Sequence, residues 1–129
     1  MKVRDVLKML RSDGWVLRNQ EGSHRQFVHP EKPGKVTVAG HASEDVTENA
    51  EVYNEAGGHS MNKFLVLFEK SSTGYGAYAP DLPGCVATGR TLEETRTRMA
   101  KAMEMHLSAM REDGDPIPEP SHFELVEAV

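Results

Sequence analysis

Apolar positions along this chain change period three times, and each change marks an element. Val3, Val6, Leu7 and Leu10 fall at i, i+3, i+4 and i+7, the spacing of one helical face, and Gly14 follows as its C-terminal stop. "WVLRN" (15–19), "HRQFVH" (24–29) and "KVTVAG" (35–40) have the length and alternation of strands, with "HPEKPGK" as a turn. The first segment therefore reads helix, strand, strand, strand. Residues 42–60 break the pattern: they are acidic, end in Gly57-Gly58, and suit a short helix near 47–56 or a flexible linker. From Met61 a new pattern begins. "NKFLVLFEK", "YGAYAP" and "CVATG" read as strands, and "LPGC" places Pro83 and Gly84 at the centre of a type II turn. "TLEE" (91–94) is a capping box opening a helix whose Leu92, Met99, Met103, Leu107 and Met110 form its apolar stripe. "REDGDPIPEP" ends that helix, and "HFELVEAV" alternates as a closing strand.

The expected fold class is α+β, with an α-β-β-β unit at 1–41, an acidic linker at 42–60 and a β-β-β-α-β unit at 61–129. Each unit is under ~70 residues and marginal alone, so each is expected to bury surface against the other or against another copy. A homo-oligomer is the expected assembly.

Charge sharpens this division. Residues 1–41 carry a net +4, residues 42–60 carry −5 and residues 61–129 carry −4. A basic head, an acidic connector and an acidic tail half is a pattern that calls for an explanation. The longest apolar run, "FLVLF" at 64–68, is far short of the ~20 residues of a membrane span, and the N-terminus has no secretory pattern. Cys85 is the only cysteine, so no intrachain disulfide is available and a reducing cytoplasm is the expected location.

Candidate chemistry centres on "EGSHRQFVH" (21–29). A histidine, with an ordinary pKa near ~6.5, can take or give a proton near neutrality. Gly22 and Ser23 admit a phosphate backbone, Ser23 can donate to it, and Arg25, Arg18 and Lys35 can neutralise it. By itself this pattern leaves His24 open as catalyst, phosphate contact or ordinary strand residue. His29 and His41 read as surface groups at strand ends, and His106 as packing or solvent-facing. Asp81 reads as a turn former, the methionine row as helix core, and Cys85 as half-buried. No metal or cofactor is expected.

Residues 1–41, with Gly-Trp entering the first strand, "GSHRQF" and a strand ending in Gly-His, resemble the HicA family of mRNA-interferase toxins. Residues 61–129, with "PDLPGC", "TGRTLEE" and a proline-rich exit, resemble the HicB family of antitoxins. Met61 looks like a former initiator. The resemblance implies a dsRBD-like toxin module fused to a partial RNase H fold, with His24 as the catalytic position of an endoribonuclease and RNA as its partner. It departs from HicA in lacking an apolar second helix after His41. It departs from HicB in stopping after the last strand, so operator DNA is not an expected partner. The clustered carboxylates of RNase H metal chemistry are not seen.

Three readings follow. The chain is a toxin silenced by its own antitoxin half, or a toxin remnant fused to an antitoxin that neutralises a separate HicA-type toxin in trans, or a non-cleaving RNA-binding module. A connection of 19 residues reaches up to ~60 Å, so docking in cis is open, as is exchange between two chains.

Overall fold

A computed structural model describes residues 1–46 and 64–128. In chain order these form α1 (Val3–Ser12), β1 (Val16–Glu21), β2 (His24–Val28), β3 (Lys35–Ala39), β4 (Leu67–Lys70), β5 (Tyr75–Tyr78), β6 (Cys85–Gly89) and α2 (Leu92–Glu112). The helix considered near 47–56 and most of the 42–60 connection lie outside the described residues. Residues 42–46 are built into the fold. The Val3 and Arg4 amides donate to the Glu44 and Ala42 carbonyls, and Val46 is buried with its amide on the Met1 carbonyl.

The six strands make one sheet in the order β1-β2-β3-β6-β5-β4. Each segment contributes an antiparallel three-stranded half. The halves join where β3 and β6 run parallel, with Thr37 opposite Cys85, Val38 opposite Val86 and Ala39 opposite Ala87. The two small units therefore bury surface against one another, along an edge of backbone hydrogen bonds.

Side chains on a strand alternate between faces, so this sheet has two interiors. On one, Val36, Val38, Phe27 and Val86 meet Val3, Val6, Leu7 and Leu10 of α1, with Trp15 at the end of the cluster. On the other, Ala39, Cys85 and Ala87 meet Met99, Ala102, Leu107 and Met110 of α2. β3 and β6 are buried at every position, as central strands covered on both faces must be. The junction tolerates no bulk: Gly40 leaves β3 at φ +144, and a Cβ there would stand 1.8 Å from the Thr88 hydroxyl oxygen.

The helices begin and end as the sequence leads one to expect. The Thr91 side chain accepts the Glu94 amide at 3.1 Å, capping α2. The other arm of the capping box is spent differently, since the Glu94 carboxylate pairs with Arg98 at 2.7 Å. Gly84 has φ +85, as the second central residue of a type II turn requires.

The expected closing strand does not form. Residues 115–128 have no regular secondary structure. Ser121 is tied to Asp81 through its amide (2.7 Å) and hydroxyl (2.5 Å), and beyond it Phe123, Leu125 and Val126 are exposed. Alternation alone does not make a strand. The ladder hydrogen bonds need a partner edge, and the tail pairs with none of the described strands.

Because the two halves share one sheet, they should unfold together. Met110→Ala removes a fully buried side chain from the α2 cluster and should cost about 2–5 kcal/mol. Fluorescence of Trp15, the only tryptophan, reports on the opposite cluster, and its thermal transition should shift as far as the helical signal does. A Trp15 transition left in place would mean two independent units.

Candidate functional site

The hairpin between β1 and β2 fixes the position of His24. Gly22, at φ +57, is the first of two turn residues, and Glu21 then pairs with His24 across the ladder. His24 opens β2 on the α2 face and is only 9% exposed. Its Nε2 lies 3.2 Å from the Arg98 carbonyl oxygen of α2. A carbonyl can only accept, so in this contact Nε2 carries the proton and donates it.

Arg18 reaches the same face by a different route. The β1–β2 register skips it between Leu17 and Asn19, a bulge that turns Arg18 and Asn19 toward one open groove of about 420 Å³ between β1 and α2. The Arg18 guanidinium forms a two-pronged pair with Asp113, one arm at 2.8 Å, and has Glu112 at 4.0 Å. Lys35, 2% exposed, places its ammonium 2.7 Å from Asp113 and 2.5 Å from Asp115. The hydrogen bonds from Arg18 and Lys35 hold the Asp113 carboxyl well below the usual carboxylate range, against the opposing effect of burial. Reciprocally, Asp113 raises Arg18.

Arg25, next in sequence to His24, belongs to the other face. Its Nη1 approaches the Ser23 and Gly40 carbonyls at 3.4 and 3.3 Å, and burial together with the Arg11 charge pushes its pKa down. Ser23 is half-buried, and its carbonyl also accepts the Gly40 amide at 3.2 Å. The structure thus brings His24, Arg18 and Lys35 to the side that α2 covers and leaves Arg25 behind the sheet. Among the described residues no group of three His, Cys, Asp or Glu side chains is placed to hold a metal.

Comparison with known proteins accounts for this two-part layout. Residues 3–49 match the family model of the HicA toxin of bacterial toxin–antitoxin systems, and residues 64–129 match that of the HicB-like antitoxin. This chain belongs to the HicB-like antitoxin family, with a HicA-like toxin segment fused before it. It is similar to an uncharacterized 14.9 kDa protein of Haemophilus phage HP1, at 34% identity over 61 residues, 47% of this chain and 46% of that one. It is also similar to a UPF0150 protein of Helicobacter pylori, at 36% identity over 36% of this chain and 65% of the relative. A UPF0150 protein of Synechocystis is 34% identical over 43% of this chain and 71% of its own length. The chain spans about half the length of the phage relative and less than two thirds of the Helicobacter one. No solved structure matches it.

Two networks that the sequence did not announce bind the antitoxin helix to the toxin segment. In the first, one Glu44 carboxylate oxygen receives the His41 amide (2.8 Å), the Thr88 hydroxyl (2.8 Å) and Arg98 Nη1 (2.9 Å). Burial alone would raise the Glu44 pKa, but these donors together lower it. Arg98 also donates to the Thr88 carbonyl at 2.8 Å, so the residue whose carbonyl faces His24 is held from two sides. In the second, the Gln26 amide of the "GSHRQF" motif donates to the Thr37 hydroxyl (3.0 Å) and the Met105 carbonyl (3.3 Å). Thr37 in turn lies 2.7 Å from His106 Nδ1. His106 is fully buried, which removes its solvent-facing alternative, and its Nε2 has no hydrogen-bond partner among the described residues. Cys85 is fully buried rather than half-buried, and burial pushes its thiol up, away from reactivity. His29 edges onto Trp15 with ring centroids 5.3 Å apart, and its Nε2 meets the Asp13 carbonyl at 2.8 Å.

Burial, aided by the Lys35 charge, lowers His106 to about 4. The unfolded chain, with a histidine pKa of about 6.5, takes up a proton first as the pH falls. The stability tied to neutral His106 is therefore complete above about pH 6.5 and is lost progressively down to about pH 4. Between pH 7.5 and 5 the loss should be about 2 kcal/mol, read by urea unfolding. His106→Asn, which cannot titrate, should remove most of that slope, and an unchanged slope would assign it to other groups.

Proposed function

We propose that this chain is a toxin–antitoxin protein in which the HicB-like half silences the HicA-like half in cis. On this reading the toxin segment is a metal-independent RNA endonuclease. His24 exchanges a proton with the 2′-OH or the leaving oxygen, and Arg18, Lys35 and Ser23 meet the phosphates. Arg25, on the far face, serves the fold instead.

The observation that carries the reading is the use α2 makes of those same groups. His24 is covered, and its Nε2 is occupied by a backbone carbonyl, so that nitrogen has no lone pair to accept a 2′-OH proton. Arg18 and Lys35 are saturated by Asp113 and Asp115, carboxylates standing where phosphates would have to come. A tethered inhibitor acts at an effective concentration in the mM range, so even modest contacts keep such a site closed.

A second reading keeps the contacts and drops the catalysis: His24 and Lys35 serve the fold, and the toxin segment is a remnant. What favours it is the burial of Lys35 at 2%, deeper than a phosphate-binding lysine needs.

The test uses the full chain. Asp113→Asn removes the two-pronged partner of Arg18, leaving Glu112 at 4.0 Å and Lys35 paired with Asp115, and Asp113→Asn/Asp115→Asn also removes the carboxylates on Lys35. RNA affinity should rise about tenfold in the double variant, with a steeper salt dependence as further phosphate contacts become available. Cleavage should appear in the same variant and vanish when His24→Ala is added. Tighter RNA binding without cleavage would favour the remnant, and unchanged binding by a folded variant would sink both phosphate assignments.

A further inference from the structure

We infer that the Asn19 and Gln26 carboxamides form a base-reading site in the groove between β1 and α2, which takes a base with an exocyclic amine, such as adenine, and rejects uracil. This deepens the silencing reading and rests on its RNA substrate.

The bulge that skips Arg18 also resets the ladder, so that Asn19 stands directly opposite Gln26. Side chains paired in this way lie about 5 Å apart on one face of the sheet. Both line the groove of about 420 Å³. The Gln26 amide nitrogen is used by Thr37 and Met105, whereas its Oε1 takes no hydrogen bond from a described residue and is not sealed from solvent. Asn19 is exposed, and its carboxamide has no hydrogen-bond partner among the described residues. The groove therefore presents one amide donor beside two carbonyl oxygens, all with capacity to spare.

Charge narrows the choice of guest. Glu21, Glu104 and Glu112 line the same groove, so a phosphate does not belong inside it. Lys101 stands 4.0 Å from Glu21 and Arg18 4.0 Å from Glu112, so two of these carboxylates already face a cation and a cationic guest gains little. What fits is a neutral ligand with hydrogen-bonding atoms along one edge. A nucleobase is such a ligand, and single-stranded RNA offers bases whose edges can be read. Arg18, on the same groove, is placed for the adjoining phosphate.

The three polar groups discriminate between bases. A carboxamide pairs with adenine through two bonds, accepting from the exocyclic amine and donating to the neighbouring ring nitrogen. The amine carries a second hydrogen, and Gln26 Oε1 can accept it. Uracil can also pair with Asn19, accepting at one carbonyl and donating from its ring N–H. The carbonyl on the other side of that N–H then meets Gln26 Oε1, acceptor against acceptor, and leaves both unsatisfied.

Fluorescence anisotropy with short oligoadenylate and oligouridylate RNA tests this on the full chain carrying Asp113→Asn/Asp115→Asn. Oligoadenylate should bind about tenfold more tightly, the discrimination expected of one two-bond amide–base pair. Adding Asn19→Ala should bring the ratio close to one. Asn19 is exposed on an edge strand, so Trp15 fluorescence and helical content should stay unchanged, and a merely structural role would not move the ratio. Equal affinity for the two oligonucleotides, or a preference that survives Asn19→Ala, would overturn this inference alone. Binding of neither would overturn the phosphate contacts and this site with them.

Discussion

The parallel pairing of β3 with β6 is the constraint on which the rest of the molecule depends. Three residue pairs, Thr37–Cys85, Val38–Val86 and Ala39–Ala87, turn two three-stranded half-sheets into one. A parallel pair buries both of its faces, so each strand must be apolar or paired along its whole length and each face needs a cover. α1 covers one face and α2 the other, so neither segment supplies a complete core. Val86 of the second segment completes the α1 cluster, and Ala39 of the first completes the α2 cluster.

That geometry sorts the polar residues as well. With a period of two, β2 and β3 send His24, Gln26, Lys35 and Thr37 under α2, and Phe27, Val36 and Val38 under α1. The polar set is therefore the one the antitoxin helix must satisfy. It does so with two backbone carbonyls, a histidine and the carboxylates at its C-terminal end. Acidic groups at that end work against the helix dipole. Glu112 and Asp113 are tolerable there because Arg18 and Lys35 bring positive charge to the same place.

Much of this was legible. α1 follows from its 3,4 spacing, the six strands from alternation and turn residues, and α2 from the Thr91 cap. His24 was singled out by its motif, and Arg18 and Lys35 by charge. Which cations share a face was not legible, because it turns on a bulge at Arg18 that nothing in "WVLRNQ" signals. Glu44 could not be told from the other acids of its stretch, because its role depends on an arginine 54 residues away. "REDGD" was a clue of a different kind: acids gathered at a helix C-terminus point to cations arriving from elsewhere. The closing strand misled because "HFELVEAV" carries the right alternation without pairing to any described strand.

Silencing in cis, as proposed, joins inhibition to folding. α2 cannot leave the toxin face without also uncovering Ala39, Cys85 and Ala87 and stranding Lys35, whose desolvated charge is balanced by Asp113 and Asp115. Wholesale release would dismantle the core that holds β3 against β6. Partial release is far cheaper, since the C-terminal turn of α2 holds Arg18 and Lys35 mainly through polar contacts at a half-open groove, and helix ends fray before helix centres. RNA would therefore compete first for Arg18, at the exposed end of the clamp, then for Lys35, and would reach His24 last. The order follows from position along α2: Arg18, a third exposed, and Lys35 meet its frayed C-terminal end, whereas His24 sits under the first half of the helix, where Glu44 and Thr88 hold Arg98 in place.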